Sequence, residues 1–192
     1  MKNLLCIFSR RLILRELPEA EALVRWRHPV KGLLSPAVFV DVLEKAGLIY
    51  KIDKYMWEKA AAKLKEWKEL GKEQYHISVN ISTKDFYLVD VYETFVDIVE
   101  RNGINPEKLK LEITETTIMD NFERNIKIIK RLQDYGFKIE IDDFGSGYSS
   151  FGMLQNYNFD IMKIDMSFVR QIETNIKTRS IIRFIIEMAH TM

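Results

Sequence analysis

Five polar side chains recur at matching places in five short β-rich runs. They are Glu21 in residues 20–26 (AEALVRW), Asn80 in 75–81 (YHISVNI), Glu112 in 108–113 (KLKLEI), Asp142 in 137–142 (FKIEID) and Lys163 in 160–164. Side chains alternate across a strand, so each polar residue faces away from an aliphatic row. Ile77, Val79 and Ile81 oppose Ser78 and Asn80; Ile139 and Ile141 oppose Glu140 and Asp142. Glu21, Asn80, Glu112 and Asp142, with Asp143 adjacent, form an all-oxygen donor set. Such a set suits Mg²⁺ or Mn²⁺ rather than Zn²⁺. Carboxylates shared between two such ions suit phosphodiester hydrolysis by an activated water. A plain structural reading stands beside this one: a strand-end carboxylate is commonly a solvated cap or a salt-bridge partner, and Asn80 can satisfy backbone groups. Lys110, Glu140 and Asp165 share the parity without an assigned role.

The five groups converge only if the sheet closes or curls, as in a (β/α)₈ barrel, whose active sites lie at the C-terminal strand ends. The elements between the runs agree. Ser35-Pro36 opens a helix to about residue 46, with Ser35 as N-cap. Helices follow over about 54–70, 84–102, 120–135 and 178–189, the first three ending at Gly71, Gly103 and Gly136. A short helix is expected near 151–155, after a loop at 143–150 whose Gly145 and Gly147 permit sharp turns. Strands alternating with helices imply βαβ units and a parallel sheet. Trp57 and Trp67, at helical spacing, read as core, and the Lys/Glu-rich stretch 58–72 reads as a solvated face.

The whole chain has 192 residues, 29 Lys+Arg and 28 Asp+Glu, for a formal net charge of +1. That balance argues against a dedicated nucleic-acid binder, so no DNA partner is expected. One cysteine, Cys6, excludes a disulfide framework and a Cys-based zinc site. No apolar run reaches the roughly 18 residues needed to span a bilayer. The apolar start at residues 4–8 is interrupted by Ser9-Arg10-Arg11; it reads as a first strand or an ill-matched leader. A cytoplasmic location is expected.

The ordered motifs resemble the EAL-domain family: EAL at residues 21–23 with His28-Pro29 and Gly32, VNIS at 79–82, LEITET at 111–116, DDFGSGYSS at 142–150 and KID at 163–165. The resemblance covers residues 19–192, with 1–18 an atypical leader or first strand. It implies a modified (β/α)₈ barrel with one antiparallel strand, here lacking about the last two βα units. It implies hydrolysis of cyclic di-GMP to linear pGpG with two Mg²⁺ or Mn²⁺ ions. Glu21, Asn80, Glu112 and Asp142 are implied metal ligands. Asp143 is implied to ligate the second ion or orient the attacking water. Lys163 is implied to hold that water or stabilise phosphate charge, and Arg25 to contact a substrate phosphate. Glu115 is implied to brace the 143–150 loop, and Asp165 to support Lys163. A homodimer, and sensory or GGDEF domains in related proteins, are implied partners.

Three outcomes stay open at the level of the sequence. They are a metal-dependent phosphodiesterase, a module that binds cyclic di-GMP or a protein without cleavage, and a fragment without independent activity.

Overall fold

The structure, a computed structural model, describes residues 3–10, 19–145, 157 and 159–191. Seven strands form one sheet among these residues, in the order β1-β2-β4-β5-β6-β7, with β3 paired to β2. β1 (Leu4–Arg10) runs antiparallel to β2 (Glu19–His28), with Leu5 opposite Arg25 and Ile7 opposite Leu23. The apolar start is therefore a strand of the sheet. β2 turns back into β3 (Gly32–Leu34), where the sequence suggests only a loop. His28 Nδ1 closes that turn by accepting the N–H groups of Val30 and Lys31, each at 3.1 Å.

From β2 onward every successive pairing along the sheet is parallel: β4 (His76–Ile81), β5 (Leu109–Thr114), β6 (Ile139–Phe144) and β7 (Ile161–Ile164). Parallel neighbours need crossovers, which helices supply. These are α1 (Val40–Lys45), α2 (Ile49–Glu69), α3 (Asp85–Leu88), α4 (Val91–Asn102), α5 (Glu115–Asp120) and α6 (Phe122–Tyr135). α7 (Met166–Arg170) and α8 (Ile176–Thr191) follow β7.

The aliphatic strand rows meet the helices. Ile77, Val79 and Ile81, Leu109, Leu111 and Ile113, and Ile139 and Ile141 are all buried. Against them pack Trp57, Ala60, Ala61 and Leu64 of α2, Phe95, Ile98 and Val99 of α4, and Ile126, Ile129 and Leu132 of α6. These positions recur at the three- and four-residue spacing that lines one side of a helix. α4 is framed by a capping bond from the Glu93 N–H to Asp90 Oδ1 at 3.0 Å and by Gly103 in the left-handed region at φ 61°.

Several local expectations need correction. Ser35 makes no side-chain capping bond; a 3₁₀ turn, Pro36–Val38, precedes α1 instead. α2 starts at Ile49, five residues before the expected start. The helix expected over 84–102 is broken at Val89, whose extended backbone (φ −137°, ψ 158°) ends α3. Trp57 is fully buried, but Trp67 is only half-buried at the edge of the core, its ring tilted at 44° to Tyr75 with centroids 4.9 Å apart and Lys63 over it. The short helix expected near 151–155 lies outside the described residues, as does Gly147.

Candidate functional site

Strand register brings the candidate residues to one end of the sheet. Glu21 pairs with Ser78, Asn80 with Glu112, Glu112 with Glu140, and Thr114 with Asp142. Asn80 Nδ2 donates to Glu21 Oε1 at 3.4 Å. The Asn80 backbone is held from behind, because Trp57 Nε1 donates to its carbonyl at 2.9 Å. That anchor was not legible in the sequence, where Trp57 carried only a packing role.

Lys163 reaches across from β7. Its Nζ lies 2.5 Å from Glu112 Oε2, 3.1 Å from Glu140 Oε2 and 3.9 Å from Asp142 Oδ1. The Glu112 and Glu140 side chains are fully buried. Beneath this layer, on the same face and two residues back along the strands, lies a second polar layer. Lys110 is ion-paired with Glu19 and lies 3.5 Å from Glu140 Oε1, and Ser78 Oγ donates to Glu140 Oε2 at 3.2 Å. Lys110 and Glu140, without a role in the sequence reading, are thus parts of a buried ion network under the site. Their parity with Glu112 and Asp142 was the available signal.

Asp143 has φ 53°, a left-handed conformation unusual for a residue with a Cβ. Burial first, then the charges of Asp142 and Asp165, pushes its carboxyl above the usual range. Asp165 caps α7, accepting the Ser167 N–H at 2.7 Å, and faces Asp143. Bonding to Ser167 holds the Asp165 carboxyl below its ordinary value. Asp165 thus meets Ser167 and Asp143, whereas the anions around Lys163 are Glu112, Glu140 and Asp142. Glu115 is buried at the start of α5, and its Oε2 accepts the Gly145 N–H at 3.4 Å. Gly145 itself has φ 95°, and a Cβ there would meet the Phe168 ring at 3.1 Å. Arg25 donates from Nη1 to its neighbour's carbonyl, Val24 O, at 2.7 Å.

Beside these residues opens a cavity of about 450 Å³, whose lining includes Leu23, Glu44, Asp53, Asn80, Ser82 and Thr116. Thr114 Oγ1 and Thr117 Oγ1 lie 2.9 Å apart, as do those of Thr83 and Thr117. In the cavity wall Asp53 faces Asp85, which accepts from the Ser82 N–H and hydroxyl, each at 2.8 Å. Burial, reinforced by the Asp85 charge, pushes the Asp53 carboxyl up to about 9.

Among the described residues no three His, Cys, Asp or Glu side chains converge closely enough to hold a metal ion in this arrangement. The donor chemistry nevertheless fits a hard cation. Glu112 and Asp142 share the Lys163 ammonium, and Glu21 meets Asn80, so oxygen donors from four strands surround one region that already accommodates positive charge.

The sequence pattern of the EAL domain matches residues 11–192. The chain belongs to the EAL-domain family, and its fold is that family's TIM-barrel-like one. It is 33% identical over 177 residues to the cyclic di-GMP phosphodiesterase NbdA of Pseudomonas aeruginosa, covering 92% of this chain and 23% of that protein. It is 32% identical to MucR of the same organism, a bifunctional diguanylate cyclase/cyclic di-GMP phosphodiesterase, covering 90% of this chain and 25% of that protein. Among solved structures, the MucR phosphodiesterase in complex with c-di-GMP superposes with a TM-score of 0.92 at 29% identity, covering 99% of this chain and 78% of that one. The chain spans about a quarter of the length of the relatives it matches. No described helix is long and apolar enough to cross a membrane.

Proposed function

We propose that this chain hydrolyses cyclic di-GMP to linear pGpG in bacterial second-messenger signalling, with two Mg²⁺ or Mn²⁺ ions. The observation that carries the reading is the convergence of Glu21, Asn80, Glu112, Asp142 and Lys163 from five strands at one sheet end, beside a cavity of about 450 Å³.

Glu21, Asn80, Glu112 and Asp142 would hold the cations, with Asp143 serving the second. When bound, such ions supply a more acidic water and positive charge beside the phosphate. The chain's own groups do the rest. Asp143, its carboxyl raised by burial, orients the attacking water by accepting its hydrogen bond. Lys163 stabilises negative charge developing on the phosphate oxygens, where an ammonium in a water-poor site acts strongly. Arg25 leaves the Val24 carbonyl to contact a phosphate. Water adds to phosphorus, the P–O3′ bond breaks, and the 3′ oxygen takes a proton, leaving a 5′-phosphate on pGpG. Glu115 braces the turn at Gly145 and so keeps Asp143 in its left-handed conformation. The cavity takes one base, and the Thr83, Thr116 and Ser82 hydroxyls offer partners to ribose and phosphate. A cytoplasmic setting, a homodimer, and sensory or GGDEF domains as regulators belong to this reading.

Mutation of the donor set tests it. Asp142→Asn and Glu21→Ala are each expected to lower metal-dependent turnover by at least about 100-fold. Turnover retained in either variant sinks the assignment.

One observation favours a second reading, binding without cleavage: the Lys163 ammonium sits on Glu112. Calorimetry then decides. Cyclic di-GMP binding without turnover in the presence of Mn²⁺ makes the chain a receptor of the dinucleotide.

A further inference from the structure

We propose that Glu140 is a positioning residue that seats the Lys163 ammonium, and that Lys110, Glu19 and Ser78 hold Glu140 in place from the layer beneath. The inference deepens the hydrolytic reading and rests on it for its kinetic consequence.

A lysine stem has four rotatable carbons and loses substantial rotamer freedom when fixed. β7 gives it little help. The strand has four residues, all half-buried, and its pairing to β6 is irregular between Ile141 and Phe144. The Lys163 ammonium is therefore located by the anions around it. Glu112 and Asp142 belong to the proposed cation set. Glu140, 3.1 Å from Lys163, does not. It stands two residues before Asp142 on the same face of β6, directly opposite Glu112 in register.

Glu140 is itself well held. Its side chain is fully buried and spans two ammonium groups, Lys163 at Oε2 and Lys110 at Oε1. Ser78 donates to it from β4, and Glu19 of β2 pairs with Lys110. Signs alternate along the series Glu19, Lys110, Glu140, Lys163, Glu112, so each charge in it lies next to an opposite one and Glu140 lies between two. Five strands contribute to the network, and none of its lower members reaches the cavity lining. When a cation engages Glu112, Glu140 remains as the seat from which Lys163 faces the phosphate.

The test uses Glu140→Gln, which keeps the shape while removing the charge and one of the two acceptor oxygens. In the chain labelled with ¹⁵N-lysine, the Lys163 ammonium signal is assigned by its loss in Lys163→Met. Glu140→Gln is expected to broaden or shift that signal. It is also expected to lower kcat at least about tenfold while KM stays within about threefold. Glu19→Gln, farther from the site and milder for folding, is expected to perturb the same signal less. An unchanged Lys163 signal in both variants overturns the proposal, as does a loss expressed only in KM. If the wild-type chain turns over no cyclic di-GMP, the hydrolytic reading fails, and the ammonium signal alone decides the positioning.

Discussion

Asp53 carries a burial cost that its neighbours increase. Its ordinary value of 3.8 is pushed up to about 9, chiefly by desolvation and then by the Asp85 charge. The folded chain therefore keeps a proton on Asp53 that the unfolded chain releases near pH 4. Between these values the native state binds more protons, so this group's contribution to stability falls as pH rises. Asp53→Asn removes the titration while retaining the shape. Thermal melts are expected to show the variant gaining over the wild type at pH 8 by about 2–4 °C per kcal/mol, with little gain at pH 4. A constant offset across that range contradicts the assignment. Among the site residues, Glu21, Asn80, Glu112, Asp142 and Lys163 were legible because strand parity placed them on one face. Arg25 and Asp165 were only partly so, because a sequence does not show that a guanidinium folds onto Val24 or that a carboxylate caps α7.

At the scale of elements, two contacts couple helix packing to the site. Trp57 of α2 is fully buried, and its indole N–H satisfies the Asn80 carbonyl at the end of β4. Trp57→Phe keeps most of the apolar volume and orphans that carbonyl, a cost of about 1–3 kcal/mol. Urea unfolding is expected to show that loss, together with reduced turnover through Asn80; full stability in Trp57→Phe argues against the anchor. Gly145 closes β6 with a positive φ, against the Phe168 ring of α7. Gly145→Ala adds both backbone strain and a ring contact. It is expected to reduce turnover more than stability, measured by parallel kinetics and melts, because the displaced turn carries Asp143. The long elements were legible because their periodicity and terminal glycines are strong signals. The short ones were not. α5 and α7 have six and five residues, too few for a periodic pattern, and they exist through caps at Thr114 and Asp165. β3 has three residues and depends on the His28 turn. The break at Val89 lies inside a stretch whose apolar spacing continues through it.

For the whole molecule, the sheet divides its polar contents into two layers. The upper layer, of which Asn80 lines the cavity, carries the proposed chemistry. The lower one, Glu19, Lys110, Glu140 and Ser78, does not line it, and by the proposal above it seats the Lys163 ammonium. An all-apolar interior would pack as well but would leave Lys163 without a seat. Family membership follows from a match over residues 11–192. Activity of this chain is a separate claim, and it depends on whether the visible donors suffice. Chromatography of cyclic di-GMP incubated with the purified chain and Mn²⁺, with an EDTA control, tests that most directly. Appearance of pGpG with Mn²⁺, abolished by EDTA, is the predicted result. Intact cyclic di-GMP after prolonged incubation with Mn²⁺ would contradict the account.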